Sequence, residues 1–246
     1  MLLAVLAGGA ASFDSAARPD FLLLAAFAAF LLATVVGEGA LLHPPAPGHY
    51  ARAWLAFGVA ILLAVPLVAA RGWLLFWLCA AAALATLAYA AGPRLRETAL
   101  AGPITIAQLG PLASAGTAVA LVGAAGPAAT WIGLPLGFLA DAERRARAEA
   151  RTPGDGAPPW LAADVLAALG LVPALIAAHA LPPSALAALV AAPLLAWEVV
   201  AIRRASDGAP YSWQATAGRL RRLRLVFTAG LVLAVFLTRH LASRAV

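Results

Sequence analysis

Between Thr98 and Ala140 the chain carries no charged side chain, and shorter runs of the same kind recur along its length. A helix needs roughly 20 apolar residues to cross the hydrocarbon core of a bilayer, and inside lipid each backbone polar group must be satisfied within its own segment. Stretches meeting or approaching that length fall at about 1–14, 21–42, 53–70, 73–91, 104–123, 127–143, 160–180, 185–202 and 223–241. The expectation is an all-α, polytopic membrane bundle of about nine transmembrane helices, forming one domain over residues 1–246. Composition points the same way: 63% of the residues are hydrophobic and 11% are charged, more apolar surface than a soluble domain of this size hides.

Helix breakers separate the stretches: "HPPAPG" at 43–48, "AGP" at 91–93, "GAAGP" at 123–127 and "LPPS" at 181–184. The first stretch is short, so the expectation is either little tilt or completion by residues upstream of Met1. Its opening, "MLLAVLAGGAASF", lacks the basic segment of a cleavable signal. Cys79 is the single cysteine, which excludes a disulfide framework and a thiolate metal site.

The net charge is +6, and every basic residue is arginine. In a membrane chain the position of that charge reports orientation before it reports any nucleic-acid partner. If nine spans alternate, one side receives Arg52, Arg94, Arg96, the group from Arg144 to Arg151, Arg203, Arg204 and the group from Arg219 to Arg224. The other side receives only Arg18, Arg71, Arg239 and Arg244. The positive-inside rule then places the N-terminus and the arginine-rich loops in the cytoplasm and the C-terminus outside, in a bacterial-type cytoplasmic membrane. Trp73, Trp77, Trp131, Trp160 and Trp213 fall near span ends, where interfacial aromatics sit.

Polar groups within spans face a bundle interior or an aqueous cavity. Glu38, flanked by Gly37 and Gly39, reads either as a cavity-lining acid or as an acid near a helix end. Asp164, about one turn into its span, reads as a first-turn acid complementing the helix dipole, or as a group facing the bundle interior or a cavity. Glu198 can reach Arg203 and Arg204 just beyond it, His179 sits beside the "LPPS" turn, and Gln108 is a neutral polar group in the fifth span.

The charged insert "LADAERRARAEARTPGDGAPPW" (139–160) has a helical pattern. Asp141 pairs by spacing with Arg145, Arg145 with Glu149, and Glu143 with Arg147. By itself it reads as a solvated, self-paired helix end that "TPGDGAPP" terminates.

The segment "LAYAAGPRLRETALAGPITIAQLGPLASAGTAVALVGAAGPAATWIGLPLGFLA" (88–140) resembles the UbiA superfamily of intramembrane prenyltransferases, nearest the branch that prenylates dihydroxynaphthoate in menaquinone synthesis. The likeness rests on Tyr89 before Gly92-Pro93, on Gly110, Pro111, Leu112, Ala113, Gly116 and Thr117, and on "LPLG" from Leu134 to Gly137. The resemblance implies a nine-helix bundle with a cytoplasmic active face. It also implies a prenyl diphosphate held through Mg2+ by two aspartate-rich motifs, on the second and sixth helices or the loops after them. This chain departs from both. At the first position Glu38 is the one acid, and at the second only Asp155 falls where the family places an aspartate.

The resemblance therefore leaves two expectations. One is a UbiA-like protein that keeps a lipid cavity for an isoprenoid, polyprenol or quinone, lacks metal-dependent transfer, and works beside another membrane protein. The other is a divergent prenyltransferase. In it Glu38, Glu149 and Asp155 act as catalytic carboxylates, with Asp155 and Glu38 on Mg2+. Arg144, Arg145, Arg147, Arg151, Tyr89 and Gln108 then contact the diphosphate or lipid. Mg2+ belongs only to the second expectation, and neither includes a nucleic acid. A transporter would need intramembrane charge pairs or an inverted repeat, and the sequence offers neither clearly.

Overall fold

The computed structural model describes residues 2–12, 19–42, 48–90, 95, 98, 100–151, 157–206 and 212–242. All regular structure among them is helical: α1 (Leu2–Ser12), α2 (Phe21–Leu42), α3 (His49–Arg71), α4 (Trp73–Ala90), α5 (Ala101–Ala107), α6 (Ala113–Val122), α7 (Pro127–Trp131), α8 (Gly133–Arg151), α9 (Ala157–Ala177), α10 (Ala192–Ser206) and α11 (Trp213–Ala242). A π-turn at Gln108–Leu112 joins α5 to α6, and a 3-10 helix at Pro183–Ala191 leads into α10.

Six segments are long and apolar enough to cross a membrane: Phe21–Leu41, Tyr50–Arg71, Trp73–Ala90, Ala101–Val122, Pro159–Ala177 and Pro183–Arg204. The chain is thus a helical membrane protein. The other three expected spans are helical but of a different kind. α1 has 11 residues, α8 ends in the charged insert, and α11 carries arginines through its first turns.

The segment Ala101–Val122 is the inner wall of the bundle, 67% buried against 22–39% for the other five. Small residues let its neighbours approach, as they do where membrane helices cross closely. A Cβ on Gly110 would come within 2.5 Å of the Gly133 carbonyl, and one on Gly137 would collide with the carbonyl of Ile106. Gly8 faces the backbone of Ser114 in the same way, which seats α1 inside the bundle rather than against lipid. Pro111 explains the π-turn. It has no N–H to donate, and its ring would press on the carbonyl four residues back, so the turn widens. One consequence is that Gln108 points inward, donating at 2.5 Å to the Thr86 hydroxyl of α4.

At one end of the bundle, Asp20 caps α2 by accepting from the Leu23 N–H at 3.0 Å. Arg71 closes α6 there, donating to the carbonyls of Ala120 and Leu121 at 3.1 Å each. The exposed faces of α3 and α4 carry Trp54, Leu55, Ile61, Leu62, Trp73 and Trp77, the apolar surface that a lipid solvent accommodates. Trp160 is exposed at the start of α9 and Trp213 opens α11. His179 sits in the left-handed region with φ 57°, ending α9 with its N–H donated to Ile176 at 2.9 Å.

Candidate functional site

The acids on the described part of the charged insert are not solvated. Asp141 is fully buried, and Glu143 and Glu149 are each 4% exposed. The cause is the length of α11. Its 30 residues make a rod of about 45 Å, longer than the roughly 30 Å hydrocarbon core, so its first turns extend as a wall beside the end of α8. α9, which follows α8, packs along its other flank.

Between these walls the charges pair across helices as well as along α8. Asp141 accepts from Arg144 Nε at 2.6 Å and from Arg145 Nε at 2.7 Å. The same Arg145 Nε lies 2.9 Å from Asp164 Oδ2 on α9, so one guanidinium ties two carboxylates from two helices. Arg144 also reaches the Tyr89 hydroxyl at the end of α4. Burial disfavours its charge, but Asp141 and Tyr89 outweigh that and hold the guanidinium above its ordinary pKa. Gly102, at the start of α5, leaves the room this cluster fills: a Cβ there would come within 2.5 Å of Arg145 Nη2.

A second group ties α8 to α11. Glu143 accepts from Arg147 one turn along α8, and Arg224 Nη2 stands 2.8 Å from Glu143 Oε2. A third ties α10 to α11, where Arg219 donates to Glu198 and to the Thr216 hydroxyl. The acid that spacing alone paired with Arg203 and Arg204 thus engages a helix further along the chain.

The expected site residues divide accordingly. Arg144 and Arg145 stand inside the ion-pair cluster with Tyr89 at its edge, and the Nε of each points at a carboxylate. Gln108 engages Thr86 and is a hydrogen-bonding neighbour of the Glu38 carboxyl near the end of α2. Glu149 is buried on the last turns of α8. Arg147 and Arg151 are exposed and line a cleft of about 470 Å3. Asp155 lies outside the described residues.

Sequence reasoning missed the far wall of that cleft: Gln214, Ala217, Gly218 and Arg221. The signal was present, because these residues repeat at i, i+3, i+4 and i+7 and so share one face of α11. Arg147, Ala150 and Arg151 form the matching face of α8.

Among the described residues no three His, Cys, Asp or Glu side chains gather as a metal-ligand group. Asp141, Glu143, Asp164 and Glu198 each face an arginine instead. These four paired acids are poor magnesium ligands, because a magnesium-diphosphate centre needs carboxylate oxygens open to the cation. Comparison with protein-family models, with curated proteins and with solved structures finds no match for this chain.

Proposed function

We propose that this chain is a UbiA-like integral membrane protein that holds an isoprenoid or quinone-type lipid without the metal-dependent transfer chemistry its sequence resembles. The observation that carries this reading is the state of the acids on α8. Asp141 is bound by Arg144 and Arg145, and Glu143 by Arg147 and Arg224. A carboxylate neutralised by an adjacent guanidinium attracts a divalent cation less strongly, and giving up the pair would leave an arginine charge without its partner. On this reading the helix leading to the second motif position has become a joint that fastens α8 to α9 and α11.

The reading includes nine crossings, with α1, α7–α8 and α11 completing the six apolar ones. The N-terminus and the arginine-rich end face the cytoplasm of a bacterial-type cell, and the C-terminus lies outside. Helix ends bearing Glu38, Tyr89, Glu149, Glu198 and the start of α11 then share the cytoplasmic side, as alternation requires. A second membrane protein would perform the chemistry on the lipid this chain holds.

The test is pyrophosphate release from a long-chain prenyl diphosphate, with Mg2+ and dihydroxynaphthoate, by the purified protein. Release at the background rate is expected. Magnesium-dependent release that disappears in Glu38→Ala would overturn the reading in favour of a divergent prenyltransferase.

A further inference from the structure

The cleft between the end of α8 and the start of α11 has a use that the ion-pair joint does not explain. Three of the seven described residues that line it are arginines, Arg147, Arg151 and Arg221, with Gln214 beside them and no carboxylate among the seven. Glu149, the acid nearest in the chain, is buried, and Glu143 is engaged by Arg147 and Arg224. Among the described residues, Arg151 and Arg221 enter no ion pair. Glu143 neutralises Arg147, but the Arg151 and Arg221 guanidiniums repel one another across the space unless an anion, counter-ions or water stand between them. The remaining lining, Ala150, Ala217 and Gly218, is small, and a Cβ on Gly218 would meet nothing within 4 Å. No described side chain therefore fills the gap at that point.

Depth and chemistry narrow the occupant. Trp213 sits immediately before Gln214, and Trp160 is exposed at the start of neighbouring α9, so indoles flank this end of the bundle as they do at the headgroup level of a bilayer. Guanidinium forks match phosphate oxygens bidentately, and Gln214, in the first turn of α11, adds an amide donor where the helix dipole favours an anion.

We infer that the α8–α11 cleft is a binding site for a phosphate group, a phosphomonoester or diphosphate, carried by a membrane lipid headgroup or by a free phosphoanion. The cleft sets the end of α8, where Arg151 stands at the second motif position of the resemblance, against α11, which carries neither motif. The inference stands without the reading of the protein as UbiA-like.

The experiment uses the purified full chain in a neutral detergent. Short-chain phosphatidic acid, inorganic pyrophosphate and short-chain phosphatidylcholine are each titrated, and binding is followed by isothermal calorimetry. Saturable binding of phosphatidic acid, absent for phosphatidylcholine, identifies a lipid phosphate. Equal or stronger binding of pyrophosphate identifies a free phosphoanion. Either supports the site if Arg151→Ala and Arg221→Ala each weaken it by about tenfold, as loss of a charge-assisted hydrogen bond does. Gly218→Leu, which narrows the cleft and leaves every charge in place, must weaken it as well. It keeps the test valid should an arginine variant fail to fold. Binding of neither probe, or binding indifferent to all three substitutions, overturns the inference.

Discussion

Asp141→Asn removes one negative charge from the centre of the α8 joint while preserving the volume of the side chain. The carboxylate it replaces is fully buried and accepts at 2.6 and 2.7 Å from two arginines. Removing one partner of a buried ion pair typically costs 3–5 kcal/mol, because the other charge stays behind in the interior. Two features reduce that here. The Arg144 and Arg145 side chains are 22% and 20% exposed, and each keeps a second partner, Tyr89 and Asp164 respectively. The loss expected is about 2–3 kcal/mol. With the scaling of soluble domains of similar length, that is a fall of roughly 4–12 °C in Tm. Thermal unfolding of the purified protein in detergent, followed by tryptophan fluorescence, reads it directly. Asp141→Asn/Asp164→Asn would leave Arg145 without either carboxylate, so its loss should exceed the sum of the two single losses. A single variant within about 1 °C of the parent would refute the reasoning, since a charge worth so little is solvated rather than buried.

Other consequences follow from the same packing. Gly137→Ala places a Cβ on the Ile106 carbonyl, backbone that cannot step aside, and should destabilise by about 1–3 kcal/mol in the same melt. Gly170→Ala, with nothing within 4 Å of the added Cβ, should instead be neutral or stabilising by up to about 1 kcal/mol. Arg71→Ala strips two donors from the carbonyls that end α6 and should cost about 1–2 kcal/mol; Asp20→Asn should change little, because that ion pair spans 4.0 Å near the surface. Thr86→Val removes the acceptor of Gln108 and should cost about 1–2 kcal/mol by leaving a buried amide donor short of a partner. Cysteines placed at Arg52 and Arg204 in a Cys79→Ala background should be shielded from a membrane-impermeant maleimide in intact cells, whereas one at Gly72 should react.

The two kinds of information in the chain differ in reach. Helix limits were legible because Pro and Gly interrupt apolar runs locally, as at "LPPS" and "GAAGP". The Asp141–Arg145 and Glu143–Arg147 pairs were legible for the same reason, four residues being one turn. What spacing could not supply was the second partner of each group. Asp164 meets Arg145 from another helix, and Arg224 meets Glu143 from a helix far along the chain. The solvated reading holds for Arg147 and Arg151 and failed for Asp141, Glu143 and Glu149, since a helix end looks exposed until the neighbouring walls are in place. Gln108 was visible as a polar oddity, but its direction depends on the π-turn that Pro111 imposes. The cleft was half legible, through Arg147 and Arg151, and its other half needed the rotation of α11.

The central claim is that this bundle works without a bound metal, the acids of α8 serving to join its helices. Binding of a long-chain prenyl diphosphate to the purified protein, measured with Mg2+ and again with a chelator, tests it most directly. The account predicts that any affinity found is the same in both conditions and unchanged in Glu38→Ala and Asp155→Ala. Saturable binding that requires Mg2+ and is lost in either variant would contradict it.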